Sequence, residues 1–169
     1  MSAFEFVCLK CGNCCRDLIR REGSAGLMLF PNEIGLFEEI HIRPYLAIGK
    51  SLTHASFRII AYQLTENVCP HLKDNSCTIY HERPNSCRGY PFVSSKDKSV
   101  AYFSTDKFCT VIKKKKNEFA GVVDLVYCES MKAKFEGMER LQVYNILRNR
   151  KIRRWIYDLR TEKWKRRSK

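Results

Sequence analysis

Four cysteines fall within the eight residues from Cys8 to Cys15: Cys8, Cys11 and Cys14 form a CxxCxxC run, and Cys15 follows at once. Two intervening residues let successive sulfurs turn toward one centre, and Gly12 supplies the backbone freedom that such a tight turn needs. A second group, Cys69, Cys77 and Cys87, lies in the stretch CPHLKDNSCTIYHERPNSCRGYPF. Converging thiolates ligate soft and borderline metals, so the chemistry indicated is chelation of an iron-sulfur cluster or of zinc.

The spacing leaves both metals open. CxxCxxC matches the first three ligands of the bacterial ferredoxin run that holds a 4Fe-4S cubane, with a remote fourth cysteine followed by proline, as Cys69 is followed by Pro70. Tetrahedral zinc sites of four cysteines are built from similar turns. Adjacent residues point their side chains apart, so one of Cys14 and Cys15 can serve a second centre. Eight thiolates furnish two four-coordinate sites, and the chain has nine cysteines. Cys109 is the further candidate ligand, whereas Cys128 reads as a small buried residue in a strand. His71 and His81 are imidazole alternatives, although TIYHERP reads equally well as a capped turn in which His81 holds the loop.

A disulfide framework is the competing explanation for so many cysteines. The start, MSAFEFVCLKCGNCC, lacks a basic segment followed by an apolar run and a small-residue cleavage site. No apolar stretch approaches the roughly 20 residues that cross a bilayer. The expectation is a cytoplasmic protein whose thiols stay reduced, consistent with the odd cysteine count and the adjacent pair. With 44% hydrophobic and 12% aromatic residues, the 169-residue chain can bury a core without cross-links.

Short apolar runs, alternation and β-branched or aromatic content predict strands at Leu27 to Phe30, Phe57 to Leu64, Val100 to Phe103 and Phe119 to Tyr127. Pro31 and Asn32 open an expected helix over Glu33 to Ile40, with Ile34, Phe37 and Ile40 on one face and Pro44 as its stop. Between Val68 and Phe92 the dense Cys, Pro, His, Asn and Arg content predicts an irregular loop.

Charge is distributed unevenly. Up to Met131 there are 17 basic and 14 acidic residues, net +3, and after it 14 basic against 4 acidic, net +10. Leu141, Tyr144, Leu147, Ile152, Trp155, Ile156 and Leu159 recur at helical spacing and predict one long amphipathic helix with a basic end. The expected fold is therefore α+β: a cysteine-rich metal-binding domain over residues 1–128 with few strands, and a basic C-terminal helix over 129–169. That helix can dock its apolar stripe on the core, lie on a membrane surface, or act as a nucleic-acid arm. For RNA, DNA or a ribonucleoprotein, the expected contacts are Arg148, Arg150, Lys151, Arg153, Arg154, Lys163, Lys165, Arg166 and Arg167. Trp155, Tyr157 and Trp164 lie among them.

CLKCGNCC, then CPHL, then CTIYHERPNSCRGYPF, together resemble the CxxCxxCC family of zinc- or iron-chelating proteins, which includes the YkgJ-type proteins and the flagellin lysine N-methylases. The matching stretch runs over residues 8–92. The resemblance implies that Cys8, Cys11, Cys14, Cys15, Cys69, Cys77 and Cys87 are the chelating set, with Arg83, Pro84, Arg88 and Pro91 shaping the second loop. Guanidinium donors from Arg83 and Arg88 would offset the clustered thiolate charge, and the prolines would restrict the loop. Arg88 can equally form an ion pair with Glu82 or Asp74. The resemblance also raises a protein lysine methyltransferase activity, but no glycine-rich turn of the kind that binds S-adenosylmethionine follows a strand here. It leaves the basic C-terminal segment unexplained.

Overall fold

The computed structural model describes residues 8–19, 23–88, 90, 92–94, 101–103, 109–111 and 153–167. Nine strands occur among them: β1 (Leu27–Leu29), β2 (Ile42–Gly49), β3 (Arg58–Leu64), β4 (Leu72–Lys73), β5 (Ser76–Cys77), β6 (Phe92–Ser94), β7 (Ala101–Phe103), β8 (Arg153–Asp158) and β9 (Lys163–Arg166). Helical structure is short, comprising 3-10 turns at Asn13–Cys15, Pro31–Leu36 and Glu39–His41 and one four-residue helix, α1 (Asn85–Arg88). The chain divides into two compact units, one of Met1–Arg16 and His71–Met138, the other of Asp17–Pro70 and Glu139–Lys169.

The second unit is a five-stranded antiparallel sheet in the order β1-β3-β2-β8-β9. Leu29, Leu64, Ala47, Ala61 and Ile48 are buried in it. So is Gln63, a polar residue with no exposed surface. Its side-chain oxygen accepts the Gly26 N–H at 2.9 Å, and its amide nitrogen donates to the carbonyls of Pro44 at 2.7 Å and Tyr157 at 3.1 Å. One donor and two carbonyls fix the amide's orientation, and a single side chain thereby joins segments on three other parts of the unit.

Three expectations are corrected. The α+β class gives way to a mostly β structure, with no long helix among the described residues. The expected C-terminal helix is, over its described part, the β8–β9 hairpin, while residues 129–152 lie outside the described residues. Trp155, Ile156 and Tyr157 are strong strand formers, and Trp155, Tyr157 and Leu159 satisfy a period of two as readily as one of 3.6. Asp158 then closes the turn, its Oδ1 accepting the N–H groups of Arg160 at 3.0 Å and Thr161 at 3.2 Å. Third, the helix expected over Glu33 to Ile40 is two 3-10 turns separated by extended Phe37. Gly35 and the β-branched Ile34 and Ile40 weaken a longer helix.

Pro44 does not terminate a helix; it stands inside β2. The register of β2 against β3 shifts between Pro44 and Leu46, and β8 pairs only from Leu46 onward. The missing N–H therefore falls at a bulge beyond the reach of β8, where a strand tolerates proline. The strands expected at Leu27 to Phe30, Phe57 to Leu64 and Val100 to Phe103 are present as β1, β3 and β7. Phe119 to Tyr127 lies outside the described residues. Among the described residues no helix is long and apolar enough to cross a membrane.

Two predictions follow from the sheet. Gln63→Leu removes the partner of the Gly26 N–H and of two carbonyls at a buried position, so urea unfolding should show a loss of about 2–3 kcal/mol with an unchanged m-value. Asp158 is nearly buried and also bonds Lys165, and this bond, ahead of the turn N–H groups, holds its carboxyl below the usual carboxylate range. A depressed folded pKa stabilises above the unfolded value, about 4, and is lost as pH falls through the folded value. The stability gap between the parent chain and Asp158→Asn should therefore be widest above about pH 5 and shrink on acidification.

Candidate metal centre

The first unit carries six of the seven family-pattern cysteines, together with Cys109, on four short segments. The CxxCxxC segment turns at Gly12, which adopts a left-handed conformation (φ 70°, ψ −3°) and leads into the 3-10 turn Asn13–Cys15, where the Cys15 N–H bonds the Gly12 carbonyl at 3.0 Å. Lys10 is also left-handed, at φ 51°. A Cβ at position 12 would lie 2.5 Å from the Asn75 carbonyl oxygen and 2.8 Å from Leu72 Cδ1. The turn is thus seated against the β4–β5 hairpin, and Arg16 reinforces the seat by donating to Asn75 Oδ1 at 2.9 Å.

That hairpin presents Cys77 opposite Leu72. Asp74 and Asn75 both have positive φ, 46° and 61°, as a two-residue hairpin turn with the strands' twist requires, and Asp and Asn are the side chains that tolerate it. Beyond β5, Thr78 binds back to His71: its N–H reaches the His71 carbonyl at 2.9 Å and its hydroxyl stands 3.5 Å from His71 Nδ1. Cys87 sits in α1, where its own N–H and that of Arg88 both reach the Pro84 carbonyl at 2.9 Å.

Tyr80 connects the second loop to the first. Its side chain lies beside Cys8, and burial, then the adjacent Cys8 charge, push its pKa up while Arg83 opposes them. Arg83 donates to the Tyr80 carbonyl at 2.8 Å and lays its guanidinium 3.8 Å from the ring centroid, with the Lys10 ammonium 4.5 Å from the same centroid. Two cations thus lie over the ring of a tyrosine beside Cys8, and the Lys10 N–H reaches the Cys8 sulfur at 3.4 Å. Cys11 Sγ stands 3.6 Å from Thr110 Oγ1, which also accepts from Asn13 at 3.1 Å, tying the segment of Cys109 to the CxxCxxC turn.

Cys15 and Cys109 are buried, Cys8, Cys11, Cys77 and Cys87 half-buried, and Cys14 exposed. Cys69 is buried and belongs to the second unit. Arg83 reaches the thiols through Tyr80, and Arg88 ends α1. Pro91 and Cys128 lie outside the described residues, as do Arg148, Arg150 and Lys151. His81 packs edge-on against Tyr80 at 5.4 Å. Sequence reasoning gave no role to Lys10, Asn75 or Thr110, which only a position one or two residues from a cysteine marks, and it held Tyr80 only as a letter of the CTIYHERPNSCRGYPF stretch.

Among the described residues no three His, Cys, Asp or Glu side chains stand together as a ready coordination group. The donor chemistry nevertheless fits zinc or iron: the cysteine-bearing segments contact one another through Gly12, Tyr80 and Thr110, and the residues lining Cys8 are hydrogen-bond donors and cations suited to thiolate. Gly12→Ala should lower the melting temperature and the metal bound per chain, since it combines a left-handed cost of about 1–2 kcal/mol with the clash at Asn75. Gly12→Asn, which tolerates the dihedral but keeps the clash, should not restore either quantity.

No curated protein and no solved structure matches the chain. One family model does: CxxCxxCC, described as a putative zinc- or iron-chelating domain, over residues 7–120. That span is more than half of the chain and covers the CxxCxxC turn, the β4–β5 hairpin and the α1 loop. The chain belongs to the CxxCxxCC family.

Proposed function

We propose that this protein is a thiolate metal chelator in which Cys8, Cys11, Cys14, Cys15, Cys77 and Cys87, with Cys109 as a further ligand, hold zinc or an iron-sulfur cluster of the 4Fe-4S type. The observation that carries the reading is the seating of the CxxCxxC turn on the Cys77 hairpin at Gly12. Bound metal supplies a cross-link among the cysteine-bearing segments, so chelation and ordering of the first unit are coupled. Lys10, Tyr80 and Arg83 offset the charge that the Cys8 thiolate brings. A chelator of this kind needs its cysteines reduced, which suits the cytoplasm.

The test is anaerobic purification followed by metal and acid-labile sulfide analysis, with a visible spectrum. Zinc without sulfide identifies a zinc protein; iron with matching sulfide and a broad visible absorption identifies a cluster. A strong chelator should lower the melting temperature of either form, and Cys8→Ser with Cys11→Ser should reproduce that loss. A folded chain that binds neither metal overturns the reading.

A further inference from the structure

We propose that one face of the β8–β9 hairpin binds single-stranded nucleic acid, independently of the metal centre. Residues directly opposite in an antiparallel pair share a face, and side chains alternate along each strand. Trp155 is opposite Arg166 and Tyr157 opposite Trp164, so Arg153, Trp155, Tyr157, Trp164 and Arg166 all project from one face. The rings form a half-exposed cluster. Trp164 packs edge-to-face with Tyr157 at 5.4 Å and with Phe57 at 5.3 Å. Trp155 is held by its indole N–H on the Gly49 carbonyl at 3.2 Å. Gly49 permits the cluster, because a Cβ there would meet Phe57 Cα at 2.7 Å.

Arg153 and Arg166 are exposed beside these rings. From Arg153 to Arg167 the chain has seven basic and two acidic side chains. One of the acids, Asp158, lies on the opposite face and is bonded by Lys165. Lysines on an edge strand can serve only to deter strand pairing, and Lys163 and Lys165 of β9 suit that role. Arg153 stands on an inner strand, and aromatic rings interleaved with arginines exceed what edge protection needs. Aromatic platforms bordered by cations fit a phosphodiester strand with unpaired bases, since every base offers a face to stack while the arginines take phosphates. Double helices hide those faces, and an acidic protein surface has none.

The experiment uses a built-in reporter: Trp155 and Trp164 are the only tryptophans of the chain. The full-length, metal-loaded protein is titrated with a short oligouridylate and its tryptophan emission followed at several salt concentrations. Saturable quenching is expected. Arg153→Ala with Arg166→Ala should weaken binding by about tenfold at low salt and flatten the salt dependence by about 1.4 in log–log slope, two phosphates for a single strand. Both positions are exposed, and unchanged emission of the ligand-free variant confirms that the cluster is intact. Lys163→Ala with Arg167→Ala, on the opposite face, should have a smaller effect. The proposal is overturned by unquenched emission, by equal losses from the two double variants, by equal affinity for a duplex of the same length, or by equal displacement with polyglutamate.

Discussion

A left-handed residue without a side chain sets the arrangement of the first unit. Gly12 lets the CxxCxxC segment reverse direction and lets its backbone approach the Asp74–Asn75 turn more closely than any Cβ permits. The hairpin it rests on is itself defined by two positive-φ residues. The CxxCxxC turn and the Cys77 hairpin are therefore positioned against each other by backbone conformation. That is the pattern expected of a segment whose final ordering comes from a bound metal.

Clustered thiolates repel one another, and the residues around Cys8 reduce that repulsion. The Lys10 N–H points at the sulfur, while Lys10 and Arg83 both lie over the ring of Tyr80 beside Cys8. The arginine acts through an aromatic ring, so its influence depends on Tyr80 staying in place. A role for Arg83 was readable from its position in HERP, but its intermediary was not. Tyr80 is one of eight tyrosines, and only the fold brings it to residue 8.

The second unit is organised differently, by hydrophobic burial around one satisfied amide. Gln63 would ordinarily be a surface residue, yet it is enclosed because two carbonyls and an N–H converge on it. The same sheet shows where reading by periodicity fails. Pro44 marks a helix end only if the following segment has no bulge to absorb the missing donor, and Trp155 to Leu159 supports two periods at once. The strands β1, β3 and β7 were legible because short apolar and aromatic runs, with alternation in Phe57 to Leu64, mark them locally.

By itself the sequence determined the chemistry: nine cysteines, seven of them in a spacing diagnostic of one family, and a cationic C-terminal segment with aromatic residues in it. Residue type and local spacing suffice for these because a thiolate or a guanidinium has the same chemistry wherever the chain places it. The tertiary structure alone decided that Trp155, Tyr157 and Trp164 share a face with two arginines, and that Tyr80 and Thr110 serve Cys8 and Cys11. Those relations depend on register and on contacts between residues up to 99 positions apart. A shift of one residue in strand pairing would invert the face, and no local pattern encodes that choice.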